Sequence, residues 1–354
     1  MNEPLRPSTL GEILDRTAQL YRSRFLLFLG ISVIPTGVIV VLACIIGLVV
    51  AWWNAAGAGS VSEEAGYVLV AVFAIGVTLV ALPVLLAVTA LAMAAMSHAV
   101  SRVHLGQTTT IRDAYKSVWR RGWRYIWLYV LEGLMIGAAP LAAWIVLIFL
   151  IAGGAVLARS AGTGGAASGA LIGLLIFPVI IAVIAYVIWM LLRLSLAFPA
   201  CVVEQIEAWP AIKRSSKLSH GTKGRIFVLY LLVAFLGWIL SMAITLPLTI
   251  ILSLFLSSGD TQHQQAASVV MVFIIYGASF AVQALVRPVY GIAQVLFYYD
   301  QRIRQEGFDI EWMMQQAGMV VATGEISAPV LEPPQDVEFP QARKATSPTS
   351  GESQ

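Results

Sequence analysis

Three ionisable residues interrupt long apolar stretches of the sequence: Glu132, Arg193 and Arg287. A charged side chain at the centre of a transmembrane helix costs roughly 2.5–3.5 kcal/mol on insertion scales. We place all three at a similar depth, toward the cytoplasmic leaflet, so that Glu132 can pair with either arginine. Two interpretations stay open: a polar pocket of headgroup size, or a single packing ion pair with the arginines reaching for the interface.

Few other residues offer chemistry. The four histidines have no cysteine or carboxylate at ligand spacing, so we expect no metal site. There is no glycine-rich phosphate loop with its lysine, and no nucleophile stands beside a base. We therefore predict no catalytic residue, no cofactor, no enzymatic activity and no nucleic-acid partner. Both cysteines are expected to be small buried hydrophobes. The histidines are His98, His104, His220 and His263, and the cysteines are Cys44 and Cys201.

The composition excludes most classes of protein. Of 354 residues, 59% are hydrophobic and 12% are charged, and the mean hydropathy is +0.83. A soluble domain carries about 25% charged residues. The chain is therefore predicted to be an all-α integral membrane protein, and not a soluble enzyme, a disulfide-rich secreted domain or a disordered chain.

Six apolar stretches are long enough to cross about 30 Å of hydrocarbon. The expected helices cover about residues 25–53, 67–97, 125–152, 169–199, 226–256 and 266–299. Each contains or adjoins a proline, which suits either kinked helices around a cavity or ordinary membrane helices. The pair Gly133 and Gly137, like Ala90 and Ala94, is interpreted as a surface for close helix packing.

The distribution of Lys and Arg predicts the orientation. Basic residues concentrate before the first span, between the second and third, between the fourth and fifth, and after the sixth. By the positive-inside rule these segments face the cytoplasm. We expect a multi-pass protein of the cell inner (plasma) membrane with both termini cytoplasmic. Residues 1–24 form an amphipathic N-terminal segment, 25–305 the membrane domain, and 306–354 a cytoplasmic end with a disordered Pro/Ser-rich tail.

Similar short basic segments precede the first, third and fifth spans. Thr9 with Glu12, and Thr110 with Asp113, match a capping box, and Pro210 suits a first helical turn. We interpret the chain as three repeats, about 8–106, 107–205 and 206–305, each an amphipathic interfacial helix followed by two spans.

These basic segments are expected to contact anionic lipid headgroups on the cytoplasmic side. Each Lys or Arg near an anionic leaflet contributes about 1 kcal/mol of attraction. The alternative is that the charges only set the topology. The predicted contact residues are Arg16, Arg22, Arg24, Lys116, Arg120, Arg121, Arg124, Lys213, Arg214, Lys217, Lys223 and Arg225.

Parts of the chain resemble a bacterial membrane-protein family, the glycerophosphoryl diester phosphodiesterase membrane domain. They are residues 5–16 and 20–25, the basic segment 208–217, and residues 297–309 at the end of the last span. The resemblance covers about residues 5–312. It implies proximity to lipid-derived phosphodiesters. The catalytic barrel attached to such domains carries a His-Arg-Gly motif and a Glu-x-Asp metal pair, which this sequence lacks, so the enzymatic activity is not carried over.

We therefore expect a non-enzymatic membrane module that organises lipid, or a membrane or cytoplasmic protein partner, at the cytoplasmic leaflet. The alternative is a transporter of a small solute or a lipid intermediate. The three basic segments favour the first function, whereas the repeated spans, their prolines and Glu132 with the two arginines favour the second.

Overall fold

The computed structural model describes residues 7–55, 63–160, 165–256 and 261–307. In these residues all regular secondary structure is helical. Six segments are long and apolar enough to cross a membrane: Phe25–Val49, Ala71–His104, Gly122–Gly154, Ile176–Val203, Lys223–Leu254 and Phe273–Glu306. The chain is therefore a multi-pass, all-helical integral membrane protein, as its composition predicts.

The described helices follow the hydropathy of the sequence closely. In chain order they are α1 (Leu10–Ser23), α2 (Phe25–Ala55), α3 (Glu63–His104), α4 (Ile111–Trp119), α5 (Gly122–Ser160), α6 (Gly165–Leu194), α7 (Ala197–Val203), α8 (Ala208–Leu218), α9 (Lys223–Leu256) and α10 (Thr261–Glu306). The six prolines predicted in or near the spans lie inside helices: Pro35, Pro83, Pro140, Pro178, Pro247 and Pro288.

Consecutive long helices pack in pairs, α2 with α3, α5 with α6, and α9 with α10. Helix α10 lies at the centre, because it also packs against α1, α2 and α3. Its residues 292–301 are all buried. Elsewhere the long helices expose large apolar side chains such as Leu79 and Phe149. A lipid bilayer solvates such a surface, whereas water does not.

The short helices α1, α4 and α8, together with residues 300–306 of α10, form what we call the basic end of the molecule. The predicted capping box is confirmed at Thr9, where the Glu12 N–H donates to Thr9 Oγ1 at 3.3 Å and the Thr9 N–H donates to Glu12 Oε2 at 2.8 Å. At Thr110 the structure shows the N-cap half of the box, in which the Asp113 N–H donates to Thr110 Oγ1 at 3.2 Å. Each side-chain oxygen thus satisfies a backbone donor that the first turn leaves open. The order of one short helix before two spans occurs three times, but the internal repeat stays a prediction because order alone does not show that the units superpose.

The apolar faces of the short helices rest on protein. Ile13 of α1, Val118 of α4 and Ile212 of α8 are each at most 4% exposed and belong to the main core. The Tyr115 hydroxyl of α4 donates to the Ile31 carbonyl of α2 at 2.9 Å, and burial raises the pKa of Tyr115 to about 12. These segments were expected to be amphipathic interfacial helices, and the structure packs their apolar faces against the ends of the spans.

The fourth span differs from the continuous helix expected at 169–199. Helix α6 ends at Leu194, and α7 begins at Ala197. At the break, Ser215 of α8 accepts a hydrogen bond from the Leu196 N–H at 3.1 Å and donates one to the Arg193 carbonyl at 2.8 Å. A side chain from α8 thus replaces the helical hydrogen-bond partners of the Leu196 N–H and the Arg193 carbonyl. Because both backbone groups stay hydrogen-bonded, the helix can break inside a buried region.

The predicted connectors at 54–66, 153–168 and 257–265 are shorter than expected, because α3 begins at Glu63, α5 continues to Ser160 and α10 begins at Thr261. Likewise, α10 continues past 299 to Glu306. The remaining parts of the connectors, and the tail that was predicted to be disordered, lie outside the described residues.

Candidate functional site

Arg193, near the end of α6, is held by α8. Its Nε donates a hydrogen bond to Ser216 Oγ at 2.9 Å, and its guanidinium carbon lies 5.2 Å from the ring centroid of Trp189. This cation–π contact and hydrogen bond orient the side chain toward the basic end. The structure does not bring Arg193 together with Glu132, and Arg193 instead anchors α8 to α6.

Glu132 lines a cavity of about 780 Å³ among α5, α6, α9 and α10. Besides Glu132, the polar residues in its wall are Tyr129, Ser195, Tyr230, Tyr290 and Gln294. The rest of the wall is mostly apolar. Small-molecule sites typically have volumes of roughly 300–1,000 Å³ and this mixture of apolar walls with a few polar groups. The space around Glu132 therefore has the size and the chemistry of a binding site.

The carboxyl group of Glu132 lacks a partner. Its Oε1 is buried, and in the described part of the chain no group forms a hydrogen bond with it. Neither of the two arginines that the sequence suggested as partners forms an ion pair with it there. Buried polar atoms in folded proteins are nearly always hydrogen-bonded, so an exception at a cavity points to a missing ligand or water.

Gly133 and Gly137 form part of the same wall. A Cβ atom built at either position has no heavy atom within 4 Å. The interpretation of this pair as a close-packing surface is therefore wrong, since the glycines border open space. Ala90 and Ala94 are both 0% exposed, so the second small-residue pair does lie in a packed region.

Arg287 lines a second, smaller cavity of about 230 Å³. Tyr129, Tyr290 and Gln294 line both cavities, so the two spaces share a wall. The phenol of Tyr129 lies within electrostatic range of both Arg287 and Glu132. The structure thus places Glu132 and Arg287 in adjacent cavities that meet at these side chains.

Hydrogen bonds hold two of the side chains that line both cavities. The Tyr290 hydroxyl donates to the Tyr230 hydroxyl, and their ring centroids lie 4.9 Å apart at 62°. The Gln294 amide donates to the Ser195 carbonyl at the break between α6 and α7. Because these partners come from α9, α10 and the break between α6 and α7, a change in their packing would change both cavities.

Several basic residues that were predicted to contact lipid are bonded within the protein. Arg225 pairs with Asp300 at 3.3 Å. Arg214 contacts Glu204 at 2.9 Å and donates to Glu306 Oε2 at 2.6 Å. Burial alone would lower the pKa of Arg214, but hydrogen bonds with Glu306 and Glu204 raise it above its usual value.

The same holds for the loop between α7 and α8. Arg124 Nη1 donates to the carbonyl oxygens of Gln205 at 2.6 Å and Ile206 at 3.1 Å, and Arg121 bonds the Gln205 side chain. Gln205 has a φ of 57°, a left-handed conformation that is uncommon for a residue with a side chain. The two arginines stabilise this turn.

The other predicted lipid-contact residues divide by environment. Arg22, Arg24, Lys116, Arg120 and Lys217 are exposed, whereas Arg16 is half-buried. Two lysines lie over tryptophan rings, Lys213 at 5.8 Å from the Trp209 centroid and Lys223 at 5.1 Å from that of Trp189. Of the predicted lipid-contact residues, the first five are thus exposed side chains for which no internal ion pair is found among the described residues.

Sequence reasoning missed the tyrosines, Gln294 and the acidic partners Glu204 and Asp300. The acidic residues could have been identified from the sequence, because buried charges require partners. Basic residues outnumber acidic ones at this end, so the few carboxylates there could be expected to form ion pairs. Nothing in the spacing of Tyr129, Tyr230 and Tyr290 along three different helices indicated that they meet.

Neither a cluster of metal ligands in the described residues nor a known relative points to a function for this chain. Among the described residues, no group of three or more His, Cys, Asp or Glu side chains could hold a metal ion. No protein-family model, curated protein or solved structure matches the chain.

Proposed function

We propose that this integral membrane protein is a non-enzymatic, lipid-associated module that holds the polar part of a membrane amphiphile in the Glu132 cavity. The supporting observation is the buried Glu132 Oε1, which has no hydrogen-bond partner among the described residues although it borders a space of about 780 Å³. A buried polar group without a partner destabilises the empty fold by about 1–3 kcal/mol. A bound polar group removes that cost.

The walls of the cavity also fit an amphiphile. Gly133, Leu134 and Leu191 line it and are exposed on the flank of the helix bundle. That flank faces hydrocarbon in a membrane. An amphiphile can therefore place its polar group beside Glu132 and leave its acyl chains in the bilayer.

The basic end supplies a second lipid contact in this proposal. Its exposed residues Lys116 and Arg120 are close in sequence to Trp119 and Trp123, which are 73% and 78% exposed, and tryptophan concentrates at membrane interfaces. We place this end at the cytoplasmic face of the inner membrane, where a membrane or cytoplasmic protein partner could also dock. We also propose that the chain is of the glycerophosphoryl diester phosphodiesterase membrane-domain type, as its resemblance to that family implies.

Filling the cavity tests the proposal. The substitution Gly137→Phe places a large ring in the open space beside Glu132, whereas Gly76→Phe, on the exposed surface of α3, places the same ring where a Cβ atom also has no heavy atom within 4 Å. Native mass spectrometry of the chain in mild detergent measures the lipid that each protein retains.

We expect Gly137→Phe to lose its bound lipid and Gly76→Phe to keep it, with similar melting temperatures for both. Equal retention of lipid by Gly137→Phe and the unsubstituted chain would contradict the proposal. The comparison separates occupancy of the cavity from lipid that covers the apolar flanks, because only the first substitution changes the cavity.

Transport of a small solute or a lipid intermediate is the second candidate. The adjoining Glu132 and Arg287 cavities favour it, since transporters hold their substrates at sites between membrane helices. Transbilayer movement of a fluorescent phospholipid in proteoliposomes distinguishes the two functions. A rate above that of protein-free vesicles supports transport, whereas binding without movement supports the module.

A further inference from the structure

The two adjacent cavities contain an acidic and a basic residue that no ion pair joins. Glu132 lines the larger cavity and Arg287 the smaller one, and Tyr129 and Tyr290 line both. In the described part of the chain, Arg287 forms no ion pair with any carboxylate. Unpaired charges inside a membrane protein are expensive and usually mark a binding site or a pathway.

The Glu132 cavity suits a cation that donates hydrogen bonds. A carboxylate accepts such bonds and has none to donate. Tyr129, Tyr230 and Tyr290 line the same space, and aromatic faces attract an organic ammonium group within about 6 Å of the ring centroid. A carboxylate among tyrosines is therefore a suitable environment for a primary ammonium group.

The Arg287 side suits an anion with several oxygens. A guanidinium presents donors in a planar fork that matches the oxygens of a phosphate or a carboxylate. Ser32, Thr89 and Ser97 line this smaller cavity as well. Their hydroxyls add polarity to a wall that is otherwise built from apolar side chains.

Charge balance decides between the types of headgroup. A purely anionic headgroup satisfies Arg287 and leaves Glu132 unpaired, and a purely cationic one does the reverse. Burying an unpaired charge costs several kcal/mol. A ligand with both charges neutralises both residues and adds no net charge to the bundle.

We propose that the paired cavities bind a zwitterion in which an ammonium group contacts Glu132 and a phosphate contacts Arg287. This inference rests on the proposed function and specifies the chemistry of its ligand. The phosphoethanolamine group is the simplest such zwitterion. It occurs both as the headgroup of a phospholipid and as a free small molecule, and the experiment separates these sources.

The experiment compares ligands that differ in one charge. The full chain in mild detergent is titrated with phosphatidylethanolamine and with its N-acetylated form of identical acyl chains, which keeps the phosphate but loses the ammonium charge. Native mass spectrometry reads the bound fraction. Soluble O-phosphoethanolamine is then added as a competitor: displacement of the lipid identifies a free-ligand site, and retention identifies a lipid headgroup site.

We expect the unsubstituted chain to bind phosphatidylethanolamine about tenfold more tightly than the N-acetylated lipid, which corresponds to about 1.4 kcal/mol. Glu132→Gln keeps the size of the side chain and removes its charge, so it should abolish this preference. Glu207→Gln is the matched control, because Glu207 is exposed and caps α8 without a side-chain hydrogen bond. Arg287→Gln should weaken the binding of both lipids by about tenfold.

Equal affinity of the unsubstituted chain for the two lipids would overturn the inference, as would a preference that survives in Glu132→Gln. The Gly137→Phe variant keeps this outcome distinct from a failure of the proposed function. If that variant loses lipid but the two lipids bind equally, the cavity holds an amphiphile of another charge type. If it retains all lipid, the proposed function itself is wrong.

Discussion

Asp300 joins the two ends of the described chain, since its Oδ1 accepts a hydrogen bond from the backbone N–H of Ser8 at 2.7 Å although 292 positions separate the two residues. The Ser8 carbonyl accepts hydrogen bonds from Arg225 at 3.0 Å and Arg304 at 2.8 Å. Both arginines also pair with Asp300. A single buried carboxylate thereby fixes the segment before α1 to α9 and α10.

The first prediction concerns the stability that Asp300 provides. Asp300→Asn keeps the size of the side chain but removes the charge that two guanidinium groups require. We expect a loss of roughly 1–3 kcal/mol in the free energy of unfolding. The loss should be smaller than for a fully buried pair, because the side chains of Arg225 and Arg304 are 31% and 37% exposed and water screens them.

Thermal unfolding in detergent checks this value. Asp15→Asn is the matched control, since Asp15 is exposed on α1 and its contact is a hydrogen bond from Gln19 at 2.9 Å, which asparagine can still accept. The control should melt within the error of the unsubstituted chain. An equal melting temperature for Asp300→Asn would show that the charge of Asp300 does not stabilise the fold.

The second prediction separates lipid contact from internal pairing among the basic residues. Replacing Arg22, Arg24, Lys116 and Arg120 with glutamine removes exposed charges, each of which contributes about 1 kcal/mol of attraction to an anionic surface. We expect a weaker preference for phosphatidylglycerol over phosphatidylcholine and little change in melting temperature. Native mass spectrometry with the two lipids measures the preference.

Arg214→Gln should behave in the opposite way. Arg214 bonds Glu204 and Glu306, so its loss leaves two carboxylates close together. The melting temperature should fall while the lipid preference changes little. If Arg214→Gln and the exposed-residue variant reduce the lipid preference equally, the division of the basic residues into two groups is incorrect.

The sequence predicted what depends on local pattern. Hydropathy located the six spans, and Thr9 and Thr110 located the starts of two short helices, because capping requires only residues three positions apart. It did not predict what depends on tertiary partners. The α6–α7 break needs Ser215 from another helix, and the environment of Glu132 needs tyrosines from α9 and α10, so no window of sequence contains the cause.

The third prediction concerns topology. The contact between Ser8 and Asp300 places both ends of the described chain on one side of the membrane, and the positive-inside rule assigns that side to the cytoplasm. Reporter tags at the two termini should therefore both report the cytoplasm. A tag inserted between α2 and α3 should report the opposite side. Termini on different sides would contradict both the contact and the six-span fold.

The last prediction tests how closely α10 packs in the core. A Cβ atom at Gly291 would lie 2.6 Å from Cγ of Met96 on α3, whereas one at Gly277, on the same helix, has no heavy atom within 4 Å. Gly291→Leu should therefore overpack the contact and cost about 1–3 kcal/mol, while Gly277→Leu places its side chain toward lipid and should leave the melting temperature nearly unchanged. Because Gly291 also lines the Arg287 cavity, its leucine variant should in addition weaken the binding of phosphate-bearing lipids. Equal melting temperatures for the two variants would mean that Met96 yields without cost and that this part of the core is loosely packed.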